Sequence, residues 1–238
     1  MRIYENPDYG RFVDHEYVDM VPNGSEPLYR PNLWNSDAVI EKNNCYTYAL
    51  GIIFQDASVS PGQMSSPVYS RIGANPDLMD RYYTKNGFLN MVRHDSMPGV
   101  FSWNQHILDA TQFTGVSLDY GFIFDGIEKE KNVVIGSYRV ALAFDLESKI
   151  KDYHWYRQGP DGFWSGKNGW MGPATDFDFD GNPICDPSYC NRHLGDSVDK
   201  MKNMDISSHF YSDKAYFFTV KWNTEEVVYE EDYLDIDF

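Results

Sequence analysis

Between Asp152 and Pro187 the chain reads DYHWYRQGPDGFWSGKNGWMGPATDFDFDGNPICDP, and this stretch constrains the fold more than any other. In an extended strand, successive side chains point to opposite faces. DYHWYRQ therefore places Asp152, His154 and Tyr156 on one face and Tyr153, Trp155 and Arg157 on the other. The same stretch holds Trp155, Trp164 and Trp170, three of the six tryptophans, and an alternating acidic run. β-Branched and aromatic residues between turn signals predict strands over 121–125, 133–144, 152–158 and 162–165, with another over 215–221 (AYFFTVK). A charged loop or hairpin tip is expected at 128–131, and a loop followed by a short helix at 188–205.

A second segment, Asn43-Asn44-Cys45-Tyr46-Thr47-Tyr48-Ala49-Leu50, complements the first. Asn44 has the side chain of an N-cap, able to accept bonds from the free amides of a first helical turn. The apolar run from Cys45 predicts a buried helix ending near Gly51, followed by a short strand over 51–54. Further helices are expected over 77–92 and 104–113. Upstream, Pro7, Pro22, Pro27 and Pro31 make residues 1–36 an extended arm wrapped on a surface.

The length of 238 residues suits one compact domain, read as 37–222 between the arm and an acidic, aromatic tail over 223–238. With aromatics at 16% of residues, a core is readily built. The formal charge of -16 and the lack of a basic cluster argue against nucleic-acid binding. No apolar run reaches the roughly 20 residues of a membrane helix, and the N-terminal MRIYENPDYGRF lacks the apolar core of a secretion signal. The expectation is a protein without a membrane span, cytoplasmic or made in an infected cell. Three cysteines, Cys45, Cys185 and Cys190, do not make a disulfide framework.

Cys45 is therefore an inert buried thiol or a nucleophile. A thiolate is the reactive form, and a helix N-terminus or a nearby imidazole favours it. Asn44 puts Cys45 at such a terminus, and His154 on its strand is the candidate base. Asp152, Asp176, Asp178 or Asn168 would orient the imidazole. An amide at the start of the Cys45 helix, with Asn43 or Asn44, would stabilise an oxyanion.

NCYTYAL resembles the cysteine-bearing segment of papain-like cysteine hydrolases of the NlpC and CHAP types. YHWYRQ-x-x-DG-x-WS-x-K-x-G, followed by PAT-x-x-D and DP, is similar to a group of sequences from bacteria, phages and large DNA viruses. The resemblance covers about residues 28–50 and 135–190. It implies an α+β fold with a papain-like core, in which the Cys45 helix packs on a small antiparallel sheet bearing His154. It also implies acyl transfer at an amide in a cell-wall peptide, isopeptide or protein. In that group a histidine stands where this chain has Gly166, so the third position of the implied triad is lost here. Two functions follow: a cysteine peptidase or amidase acting through Cys45 and His154, or a catalytically inactive structural or interaction protein. A minor capsid or other virion-associated component would be of the second kind.

Two metal readings come from spacing. Asp176, Asp178, Asp180 and Gly181 match the opening of a calcium loop, although position 12, normally a glutamate, is Pro187. Alternatively the run is a solvated turn with Phe177 and Phe179 inward and the carboxylates outward. Cys185, Cys190 and His193 have a loose zinc-like spacing, with His209 the one later histidine. His15, His94 and His106 lack context and read as surface or packing residues.

Overall fold

The computed structural model describes residues 3–6, 10–13, 20–54, 59–63, 81–82, 84–96, 106–108, 122–127, 132–145, 151–169, 171–191 and 215–222. Its centre is a six-stranded sheet in which every neighbouring pair is antiparallel. The strands are β5 (Phe122–Gly126), β6 (Tyr138–Asp145), β7 (Asp152–Gln158), β8 (Trp164–Lys167), β9 (Ala174–Thr175) and β10 (Tyr216–Trp222). Their spatial order is β5-β10-β6-β7-β8-β9. Smaller antiparallel pairs join β1 (Ile3–Asn6) to β2 (Gly10–Val13) and β3 (Ile52–Phe54) to β4 (His106–Leu108). The class is mixed: a few short helices and an antiparallel sheet.

The register of β6 with β7 sorts the core into two layers. Leu142 stands opposite Trp155 and Phe144 opposite Tyr153. These side chains share an apolar cluster with Cys45, Tyr46, Phe88, Met91, Val92, Phe124 and Phe218. Ala143 stands opposite His154 and Ala141 opposite Tyr156. Ala141, Ala143 and Tyr156 belong to a second cluster, with Met20, Trp164, Ile184 and Phe217. Cross-strand partners point to the same face, so the odd-numbered residues of β7 face the first layer and the even-numbered ones the second.

Helix α2 (Cys45–Leu50) covers the first face. Asn44 caps it, accepting from the amides of Tyr46 and Thr47, while Thr47 Oγ1 accepts from the Asn44 amide. Gly51 ends it at φ 70°, a left-handed conformation that glycine adopts without steric cost. Three strands then bond its last carbonyls: Arg157 donates to Tyr48 O, the Tyr138 hydroxyl to Ala49 O, and Trp222 Nε1 to Leu50 O. The C-terminal carbonyls that a helix leaves unpaired are thus satisfied by the sheet, which fixes α2 in position.

Helix α3 (Lys85–Asp95) is capped by Thr84, whose Oγ1 accepts from Gly87 N. It turns Phe88, Met91 and Val92 into the same layer, an i, i+3, i+4 spacing. It overlaps the expected span of 77–92, of which residues 77–80 and 83 lie outside the described residues. Asp95, at its end, is buried and accepts from the Tyr46 hydroxyl at 2.9 Å and from Gly62 N at 2.6 Å.

The expected arm contains regular structure: the β1–β2 pair and a short helix, α1 (Pro31–Trp34). Residues 20–35 are bonded to the sheet of their own chain. Gln158 Nε2 donates to Met20 O at 2.6 Å, and Arg139 to Val21 O at 2.9 Å. Arg157 donates to Leu28 O at 3.1 Å, and Asn35 exchanges bonds with Ala174 in both directions. Asn23 Nδ2 donates to the carbonyls of Val133, Val134 and Ser137, each at 3.0 Å. That clasp makes 133–137 a turn, so β6 starts at Tyr138 and not at the expected 133. Residues 106–108, expected in a helix, form β4 because β3 offers them a pairing edge. The features expected at 128–131, 192–205 and 223–238 lie outside the described residues.

Candidate functional site

The expected nucleophile is at its expected place in the chain. Cys45 is the first residue of α2, directly after the capping Asn44. Its surroundings are apolar: it is buried, 4% exposed, with Tyr46, Tyr153 and Trp155 in its cluster. Sγ donates to Tyr153 O at 3.9 Å. Burial pushes the thiol up to about 12, and the Asp152 carboxylate adds to the rise. The Trp155 amide and Lys167 pull in the other direction and do not offset it. The expected lowering by the helix terminus is thus overridden by loss of water, which disfavours the charged form. The amides of Tyr46 and Thr47 are taken by Asn44 Oδ1, and the amide of Cys45 itself lowers the thiol without offsetting the rise.

His154 is on the predicted strand and in the predicted alternation, but the face that meets α2 is the other one. Tyr153 and Trp155 pack with Cys45, whereas His154 shares its side of β7 with Tyr156, their rings edge to face with centroids 4.7 Å apart. The structure does not bring His154 and Cys45 together on one face. The expectation that the histidine faces the helix is corrected by the aromatic residues: the larger pair, Tyr153 and Trp155, takes the layer beneath α2. Gly166, by contrast, is a neighbour of His154. A β-carbon added to Gly166 would lie 2.7 Å from His154 Nε2 and 3.1 Å from the Tyr156 ring.

The remaining candidates have structural partners. Asn44 caps α2 and donates through Nδ2 to Val59 O at 2.8 Å. Asn43 bonds both backbone groups of Phe54, which fixes the turn into β3. Asp178 organises a loop. Its Oδ1 accepts from the amides of Asp180 and Asn182, and its Oδ2 from the amide of Asn191. Both of its oxygens are engaged by these three loop amides, and no bond joins it to His154. Asn168 lies in the turn after β8, its amide bonded to Pro173 O.

The acidic run differs at its start from the expected solvated turn. Asp176 is buried at 5% exposure while Phe177 is 42% exposed, the reverse of a turn with its aromatics inward. Ile184 N bonds to Asp176 O, and Phe177 pairs with Pro183, so this backbone is tied across the loop. Among the described residues, no group of three His, Cys, Asp or Glu side chains is placed to hold a metal ion. Cys185 and Cys190 are half-buried and in no disulfide, their thiols donating to Pro183 O and Pro187 O; His193 and His209 lie outside the described residues.

Sequence reasoning missed Lys167. It is buried, follows Gly166 on β8, and donates to Gly169 O and Gly172 O, each at 2.9 Å. Burial lowers its ammonium to about 8, and Cys45 acts on it in the opposite direction. The legible signal was alternation within WSGK, which puts Ser165 and Lys167 on one side. Ser165 Oγ bonds the Tyr48 hydroxyl of α2 at 2.7 Å, so that side is the helix side.

In comparisons with known proteins, the chain matches no family model, no curated protein and no solved structure. Among the described residues no helix is long and apolar enough to cross a membrane.

Proposed function

We propose that this chain is a structural or interaction protein whose helix-on-sheet core resembles that of a papain-like cysteine hydrolase but lacks its catalysis. A component of a larger protein assembly, such as a minor capsid or other virion-associated protein, is the role that fits. One observation carries the reading: the Cys45 thiol is sealed in an apolar cluster on one side of β7, while His154 belongs to the other side. A thiol that burial keeps protonated at neutral pH and a base that does not face it do not make a dyad. Gly166 supports the same reading, since a side chain at that position would collide with the imidazole. The acidic charge of -16 suits docking onto a basic partner surface.

The test is reaction of the native full chain with a cysteine-directed activity probe, with the labelled residue located by peptide mass spectrometry. Cys45 should remain unlabelled while the half-buried Cys185 and Cys190 react. Labelling of Cys45 that is lost in His154→Ala would overturn the proposal and restore the peptidase or amidase reading.

A further inference from the structure

Among the described residues two aromatic side chains are exposed, Phe177 at 42% and Tyr189 at 83%. Both belong to the loop that follows β9. Single exposed apolar residues are ordinary, whereas two rings on one tied loop form a patch. The loop is tied at several points. Asp178 Oδ2 accepts from Asn191 N, and Phe179 N donates to Asn191 O, which brings the backbone after Tyr189 alongside that after Phe177. The Tyr189 amide closes a turn on Asp186 O, Phe177 pairs with Pro183, and Trp164 N donates to Ile184 O, which anchors the loop on β8. A patch held in this way loses little conformational freedom when it docks.

The charge around the two rings has one sign. Between Lys167 and Arg192 the sequence carries Asp176, Asp178, Asp180 and Asp186 and no lysine or arginine. Asp176 is buried, Asp178 and Asp186 are half-buried, and Asp180 is exposed at the loop tip beside Gly181. The face of an aromatic ring attracts a cation. A guanidinium, planar and weakly hydrated, can stack on a ring and bond a carboxylate as well. We infer that the loop bearing Phe177 and Tyr189 docks an arginine-bearing segment of a partner protein. The inference rests on the reading of this chain as an interaction protein, and it names the surface and the chemistry of what binds there.

The test is fluorescence anisotropy of the native full chain with a labelled peptide of alternating arginine and glycine, at low and at physiological salt. A peptide with glutamate in place of arginine is the control probe. The arginine peptide should bind, more weakly at the higher salt, and the glutamate peptide should not. Tyr189→Ala should weaken binding roughly two- to fivefold, and Tyr189→Phe should keep it. Asp180→Asn should weaken binding at low salt and flatten the salt dependence. Asp125→Asn removes an exposed charge from β5, at the opposite edge of the sheet from β9, and should leave binding unchanged. Tyr189→Ala and Asp180→Asn alter different side chains of the loop, so a folding defect in one leaves the other as the test. No binding of the arginine peptide, equal binding of the glutamate peptide, or unchanged affinity in Tyr189→Ala overturns the inference. So does a loss in Asp125→Asn equal to that in Asp180→Asn. If any of these occurs while Cys45 in the same samples stays unlabelled by the activity probe, only the docking loop is overturned and the proposed function stands.

Discussion

Gly166 and His154 meet so closely that a β-carbon on Gly166 would lie 2.7 Å from the imidazole Nε2. The nearest backbone atom, Trp155 O, is 3.2 Å from the same point, so there is little room for the strand to retreat. His154 is buried with its ring against Tyr156. Gly166→Ala should therefore displace the imidazole and lower stability by about 1–3 kcal/mol, the usual cost of overpacking. Urea denaturation measures the loss. Gly166→Ala combined with His154→Ala should recover part of it, because the colliding ring is gone.

Arg157 links three parts of the fold. Its guanidinium lies 4.0 Å from the centre of the Tyr48 ring and 5.5 Å from that of Trp34, and it donates to Tyr48 O and Leu28 O. Arg157→Met keeps bulk and removes the donors, leaving buried carbonyls to lose charge-assisted bonds. A loss on the order of 3 kcal/mol is expected. Arg157→Lys should recover little, since an ammonium cannot both stack and reach two carbonyls. Limited proteolysis should show earlier cleavage near Leu28 in both variants.

The cap of α2 should behave as a structural element. Asn44→Ala removes the acceptor for Tyr46 N and Thr47 N and the donor to Val59 O. Its expected cost is about 1–2 kcal/mol in urea denaturation. Asn44→Asp restores the acceptor but not the donor and should fall between Asn44→Ala and wild type.

Two buried groups set opposite pH dependences. Lys167 has a folded pKa of about 8 against 10.5 for a free lysine, so between those values the unfolded chain holds a proton that the folded chain lacks. Stability from this group is lowest below about 8 and rises with pH up to 10.5. Cys45 has a folded pKa of about 12 against 9.0, so its contribution is full below 9.0 and is lost as pH rises toward 12. Denaturation midpoints measured across this alkaline range should rise less with pH in Lys167→Met than in wild type. In Cys45→Ala the alkaline fall should be shallower.

Much of the local structure was legible because its signals are local. The Asn44 cap, the start of α2 at Cys45, its end at Gly51 and the strand after it follow from neighbouring residues. The alternation of β7 and its bounds, Asp152–Gln158, are likewise set within seven residues. What alternation leaves undetermined is which face meets the helix. That choice is made by Leu142 and Phe144, which stand across from Trp155 and Tyr153 and are remote from α2 in sequence. The turn at 133–137 failed for the same reason: its β-branched residues favour a strand, but Asn23, about 110 residues earlier, bonds its carbonyls. Lys167 was overlooked because a lysine is expected at the surface.

The central claim is that Cys45 is a core thiol and not a nucleophile paired with His154. The most direct measurement is an NMR titration of the native full chain labelled with carbon-13 at the cysteine β-carbons, alongside His154→Gln. The account predicts that the Cys45 resonance keeps its thiol position through neutral pH, begins to titrate only in strongly alkaline solution, and is the same in both proteins. A Cys45 transition at or below neutral pH in wild type, moved by His154→Gln, would contradict it.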